Sequence, residues 1–160
     1  MKIEDILKTS SNIPLQKKVV VSLLHTYGIV NVQLNDVLKP YGISIQQFNV
    51  LRILRGQKGT PVTLATIQER MVNKMSNTTR LVDKLIKKQY VTRSKNKQNK
   101  RKIDITITNE GLNFLNKIDS LVERTEQNIT KPLNDDERLE LIRLLGKLRL
   151  IANQPSSSKP

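Results

Sequence analysis

Residues 73–108, NKMSNTTRLVDKLIKKQYVTRSKNKQNKRKIDITIT, decide how the rest of the chain is read. The spacing predicts a helix from Asn73 to about Lys88 that runs directly into a strand, Tyr90 to Arg93. A basic polar tip, Ser94 to Arg101, leads to a second strand, Lys102 to Thr108. In that strand Ile103, Ile105 and Ile107 alternate with Asp104, Thr106 and Thr108, the period of a half-buried strand. Between Lys84 and Lys102 there are nine Lys/Arg and no Asp or Glu. Like charge at that density repels itself, so it needs open water or an anionic partner. The plainer alternative is a solvated hairpin on a basic protein.

The helix ahead of the hairpin argues for the partner. With Met75 as origin and about 100° per residue, Leu81, Val82, Leu85 and Ile86 gather with Met75 on one side. Asn73, Ser76, Asn77, Arg80, Lys84 and Lys87 take the other. Short hydrogen-bonding groups sit toward its N-terminus and longer cations toward its C-terminus. An ordinary exposed face is richer in Glu. A helix in the DNA major groove needs this arrangement, because small amides, hydroxyls and an arginine reach base edges while flanking cations meet phosphates.

The remaining segments supply a frame for that helix. Pro14 suits the first turn of a helix running to Leu38, which Pro40 and Gly42 stop. Leu15, Val19, Leu23, Tyr27, Val30, Leu34 and Leu38 form its stripe, and Val20, Leu24, Val32 and Val37 widen it. So broad a girdle calls for cover from a second subunit. His25 on this helix, the only histidine, has a packing or surface role. Ser44 and Gln47 resemble a capping box opening a helix from Ile45 to Arg55, with Phe48, Leu51 and Leu54 inward and Gly56 ending it in a left-handed conformation. Pro61 and Val62 form a short extended piece. Thr63 caps a helix from Leu64 to Met71 with Leu64, Ile67 and Met71 inward, and Asn73 caps the helix after it. Two short helices joined by a tight turn, followed by strand, tip and strand, make a winged helix-turn-helix.

Thr108 caps the next helix, whose stripe is Leu112, Leu115, Ile118, Val122 and Ile129, with Phe114 and Leu121 beside it, until Pro132 breaks the run. Asn134, Asp135, Asp136 and Glu137 start a last helix to about Ile151, burying Leu141, Leu144, Leu145 and Leu148. The fold class is therefore mainly α (α+β). A winged helix-turn-helix DNA-binding domain, 43–108, is joined to a helical dimerisation region from both chain ends, 14–40 and 109–152. Residues 1–13 and 153–160 are expected to be mobile, apart from an amphipathic turn through Ile3, Ile6 and Leu7.

Composition narrows the partner. The net charge of +14 over 160 residues, with a pI near 10.2, fits nucleic acid or an anionic membrane surface. A membrane binder would put its charge on an amphipathic helix with exposed apolar bulk, whereas here it lies on a polar hairpin. No apolar run approaches the roughly 20 residues of a membrane span. The N-terminus lacks the pattern of a signal peptide, so a cytoplasmic protein is expected. With no cysteine, a thiolate metal site or thiol switch is ruled out. There is no phosphate-cradling glycine loop and no catalytic partner near His25, so neither enzyme activity nor a cofactor or metal is expected.

Five segments in order carry a family resemblance. They are Ser44-Ile45-Gln46-Gln47-Phe48-Asn49-Val50-Leu51, then Met75 through Leu85, Val91-Thr92-Arg93, Asn99-Lys100-Arg101 and Ile107-Thr108-Asn109-Glu110-Gly111. Over nearly its whole length the chain resembles the multiple-antibiotic-resistance regulator (MarR) family of bacterial transcription factors. Two positions depart from the pattern. Asn99 stands where the family has an acid at the wing tip, and Gln89 stands where a glycine separates recognition helix from wing, so a left-handed residue there is strained.

The resemblance implies an obligate homodimer on a pseudo-palindromic duplex, with recognition helices in major grooves and a wing arginine in each adjacent minor groove. It also implies that small aromatic or lipophilic ligands bind between lobes and dimerisation helices and lower DNA affinity. On this reading Ser76, Asn77 and Arg80, with Thr79 at the margin, meet base edges and Arg101 enters the minor groove. Asn73, Lys84, Lys87, Arg93, Lys95, Lys97, Lys100 and Lys102 meet phosphates. Tyr27 and Tyr41 are candidate pocket residues, and Phe48 is a third whose main use is core packing. The function expected is a sequence-specific repressor released by a small-molecule effector. The alternative is a constitutive, non-specific or architectural nucleic-acid binder without a ligand.

Overall fold

Local capping chemistry sets most of the element boundaries. In the computed structural model, which describes residues 3–8, 13–96, 99 and 102–150, a short α1 (Ile3–Ile6) precedes the long α2 (Leu15–Leu38). A 3-10 turn over Lys39–Tyr41 then closes on Gly42 at φ 65°. Helix α3 (Ile45–Gly56) starts from the predicted box: Ser44 Oγ accepts the Gln47 N–H, and Gln47 Oε1 accepts the Ser44 N–H at 2.9 Å. Helix α4 (Leu64–Arg70) is capped by Thr63. Helix α6 (Asn109–Thr130) is capped by Thr108, and α7 (Asp135–Arg149) opens on a second box, Asn134 with Glu137. Lys97, Lys100 and Arg101, together with 9–12 and 151–160 of the tails, lie outside the described residues.

Helix α5 (Thr78–Lys87), the one expected to read DNA, starts later than the sequence suggested. Asn73 does not cap it. Its Oδ1 accepts the Met75 N–H at 2.9 Å and its carbonyl accepts the Ser76 N–H, which closes a local turn that competes with helix. Asn77 caps instead, accepting the Arg80 N–H at 3.0 Å. Met75 consequently leaves the apolar face and stands 92% exposed. Val82 and Leu85 are fully buried, and Leu81 and Ile86 pack partly against the core.

The helix ends in a Schellman motif. Gln89 N–H donates to the Ile86 carbonyl and Tyr90 N–H to the Leu85 carbonyl, with Gln89 at φ 62°. The left-handed residue anticipated there is present. Gly56 is different: it is the last residue of α3, and the positive φ angles fall at Lys58 and Gly59.

Strand β1 (Val91–Lys95) pairs antiparallel with β2 (Ile103–Ile107), from Val91 opposite Ile107 to Lys95 opposite Ile103. Ser94 and Lys95, expected in the tip, therefore belong to the ladder. Val62 adds two backbone hydrogen bonds to Ile105, the short extended piece foreseen around Pro61. The core gathers Leu38, Phe48, Leu51, Leu54, Ile67, Met71, Val82, Leu85, Ile105, Leu115 and Ile118 from α2 to α6. Each large side chain so buried stabilises by about 1.5–3 kcal/mol. Tyr90 stacks on Phe114 at 4.5 Å, and the Arg55 guanidinium donates to both Asp119 oxygens at 2.5 and 3.3 Å, tying α3 to α6.

The two chain ends contribute little to that core. Helix α2 buries only Leu38 and leaves Leu15, Val20, Leu24, Tyr27 and Val32 more than half exposed. Helix α7 buries nothing. Leu141, Leu144 and Leu148, expected inside, stand 40–44% exposed because no element among the described residues covers that face. No helix among the described residues is long and apolar enough to cross a membrane.

Candidate nucleic-acid interface and adjoining cavity

The turn between α4 and α5 is held from both sides. Gln68 Nε2 donates to the Lys74 carbonyl at 2.7 Å, and Thr78 Oγ1 donates to Gln68 Oε1, so one side chain of α4 fixes the approach to α5. Asn49 of α3 accepts the Val72 N–H at 3.0 Å. This scaffold brings Asn73, Ser76, Asn77, Arg80 and Lys84 around a shallow polar hollow of about 410 Å³, with Leu81 and Gln46 completing it. Five residues chosen from the sequence thus share one surface. Gln46 was not among them. It sits inside the capping-box motif of α3, but only the crossing of α3 over α5 brings it to this face.

Individual side chains are more constrained than helix geometry suggests. Asn77 has its oxygen committed to the cap, so it can offer a duplex chiefly its NH2. Ser76 Oγ is shielded from solvent and has no hydrogen-bond partner among the described residues. Thr79 and Lys87 are exposed on α5 but lie outside the hollow.

The wing continues the surface. Lys95 and Lys102 are exposed at its outer end, where Ile103 is also 37% exposed because the hairpin has passed beyond the core. Asn96 organises the turn: its NH2 donates to both Asp104 oxygens at 3.0 and 3.1 Å, and its Oδ1 accepts the Asn99 N–H at 2.8 Å. Arg93 donates to Asp83 of α5 at 2.8 Å, so its charge is partly answered within the chain and it links helix to wing.

Behind the hollow lies a mainly apolar cavity of about 360 Å³ between α2, α3 and the turn at 71–73, with Glu126 of α6 at its edge. Its size is within the range of small-molecule sites. Tyr27 and Phe48 line it together with Val30 and Leu34, and Asn31, Asn49 and Arg52 supply polar groups. Tyr41 does not. The 3-10 turn carries it back onto α6, where it meets Phe114 edge-on at 6.1 Å and Lys117 lies over its ring. Gln46 and Asn73 line both the cavity and the hollow.

Comparison with known proteins agrees with this geometry. A model described as the MarR family matches residues 43–103, which span α3 to the start of β2. The chain is 27% identical over 123 residues to the HTH-type transcriptional regulator PecS of Dickeya dadantii (strain 3937), covering 75% of this chain and 73% of that protein. Wild-type MarR from E. coli in its apo form superposes with a TM-score of 0.65 at 27% identity, over 86% of this chain and 98% of that one. Bordetella bronchiseptica BpsR, whose DNA binding is regulated by 6-hydroxynicotinic acid, superposes with a TM-score of 0.76 over 86% of this chain and 97% of its own, and at 20% identity shares the fold.

Proposed function

On the premise that this chain belongs to the MarR family of transcriptional regulators, we propose that it reads duplex DNA as a homodimer and represses by occupying a pseudo-palindromic operator. One observation carries the reading: Asn73, Ser76, Asn77, Arg80 and Lys84 converge on one open polar surface beside a cationic wing. In the major groove Arg80 and the Asn77 NH2 meet base edges, with Ser76 turning outward to join them and Thr79 at the margin. Lys84, Lys87, Lys95 and Lys102 meet phosphates, as do Asn73, Arg93, Lys97 and Lys100, and Arg101 enters the minor groove. The exposed apolar faces of α2 and α7 support a second copy as the missing cover, since patches that large are uncommon on a monomer.

The cavity supports an effector of small aromatic or lipophilic chemistry, with Tyr27 and Phe48 in the wall and Arg52 at hand for a polar substituent. Such a molecule releases DNA by preferring an arrangement of the lobes that misfits the operator. The protein works in the cytoplasm, where its target is. Selection from a random duplex pool at physiological salt tests the whole reading. A bipartite palindrome is expected. An affinity ratio near one between selected and random duplexes replaces it with constitutive, non-specific binding.

A further inference from the structure

Met75 is the most exposed large apolar side chain among the described residues, at 92%, although helical periodicity puts it on an inward face. A single exposed apolar group is ordinary on a protein surface. Two observations set this one apart. Its backbone is held by side chains of the same lobe: in the peptide joining Lys74 to Met75, the carbonyl accepts from Gln68 Nε2 at 2.7 Å and the N–H donates to Asn73 Oδ1 at 2.9 Å. The next N–H, that of Ser76, donates to the Asn73 carbonyl at 3.2 Å. Its position is the second observation. Asn73 before it, and Ser76 and Asn77 after it, line the polar hollow, so Met75 stands at the rim of the surface proposed to meet DNA. Fixing a backbone this closely while leaving its thioether chain in water adds nothing to the core.

We propose that Met75 packs on the C5-methyl of a thymine at the edge of each half-site and so helps to set which sequence is bound. The inference rests on the DNA-reading function proposed above and adds a base-specific contact to it. Arg80 and the Asn77 NH2 are donors, and donors alone read acceptor atoms on base edges. They leave unread the thymine methyl, the apolar group that a base pair shows in the major groove. An unbranched side chain with a soft thioether adapts to a methyl whose position varies with local duplex shape. Cytosine, with an amino donor and no methyl, offers the same side chain nothing to cover.

The operator obtained by selection supplies the probe. Deoxyuridine replaces its thymines one position at a time, symmetrically in both half-sites. It pairs as thymine does and lacks only the methyl. Affinities of wild type, Met75→Ala and Met75→Leu are measured on each duplex and over a range of salt concentrations.

At one position the wild type should lose about fourfold per half-site, the worth of one buried methyl, and so about fifteenfold with both half-sites substituted. Met75→Ala should bind the thymine operator about as weakly as wild type binds the deoxyuridine form, and should bind the two forms equally. Met75→Leu should keep the preference. The salt dependence of Met75→Ala should match that of wild type, because no phosphate contact is lost. With the side chain so exposed, its melting temperature should be unchanged, and a drop would assign Met75 to the fold instead. Equal binding of wild type to every deoxyuridine duplex, or half-sites without thymine, overturns the inference and leaves the DNA-reading function intact. A thymine preference that survives in Met75→Ala overturns it too, since duplex shape or another residue then senses the methyl. Failure to select any sequence removes the DNA-reading function, and this inference with it.

Discussion

Asn77→Asp separates stability from recognition at a single position. The Asn77 oxygen accepts the Arg80 N–H at 3.0 Å, and a carboxylate oxygen in the same place does so equally well. Asp and Asn are about equal as N-caps, and an anion at a helix N-terminus adds about 0.3–1 kcal/mol through the dipole. The variant should thus melt at or slightly above the wild-type temperature, by up to about 4 °C for a chain of this size. On the exposed side the change is the reverse. The NH2 that could donate to a base is lost, worth about 1–3 kcal/mol of discrimination where such contacts are made, and a negative charge is set against phosphates. At about 1.4 kcal/mol per tenfold, operator affinity should fall by roughly ten- to a hundredfold before the added repulsion is counted. Asn77→Ala provides the contrast, with the cap lost at about 1 kcal/mol and binding weakened as well. Thermal melting and fluorescence anisotropy read the two effects independently. If Asn77→Asp bound the operator as tightly as wild type, Asn77 would not face the duplex; if it melted below Asn77→Ala, the cap geometry would be wrong.

Arg80→Ala should cost about 1–3 kcal/mol and blur preference at one base position, whereas Lys102→Gln should weaken all sequences alike and flatten the salt dependence by about one unit of slope; a salt titration on matched and mismatched duplexes distinguishes them. Gln89→Gly should raise stability by about 1 kcal/mol, because Gln89 sits at φ 62° and a side chain there carries a left-handed penalty of about 1–2 kcal/mol, offset in part by the freer unfolded chain. A urea melt checks this. Gly111→Ala should lower stability by about 1–3 kcal/mol, since an added Cβ would lie 2.3 Å from the Tyr90 carbonyl oxygen, which also accepts the Thr108 N–H. Gly56→Ala, with nothing within 4 Å, should be neutral or stabilising by up to about 1 kcal/mol, and equal melts for the two alanine variants would refute the clash.

Features written in short-range chemistry were legible in the sequence. The boxes at Ser44–Gln47 and Asn134–Glu137, the caps at Thr63 and Thr108, and the buried alternation of Ile105 and Ile107 need only neighbours a few residues away. The start of α5 was misread because Asn73 and Asn77 have the same side chain one helical turn apart. Asparagine suits an Asx-turn as well as a cap, and Gln68, which holds the turn that separates them, comes from another helix. Gln46 was not foreseen, and Tyr41 lies away from the cavity, for a related reason: which face of α3 crosses α5, and which way the 3-10 turn points, are decided by packing over tens of residues. The apolar stripe of α7 was read as a buried face of the dimerisation region, and in the single chain Leu141, Leu144 and Leu148 stand exposed. Periodicity reports that a face is covered, not by what.

The Asp83–Arg93 pair has a consequence for how such a protein changes over generations. Asp83 is absent from the hollow, where Ser76, Asn77, Arg80 and Lys84 reside, yet it shares α5 with Arg80 and Lys84 and clasps β1. The positions proposed to choose a target and the position that ties helix to wing are thereby interleaved but separate. A lineage can exchange the former one at a time, drifting toward new promoters, while the chassis that presents them stays as it was.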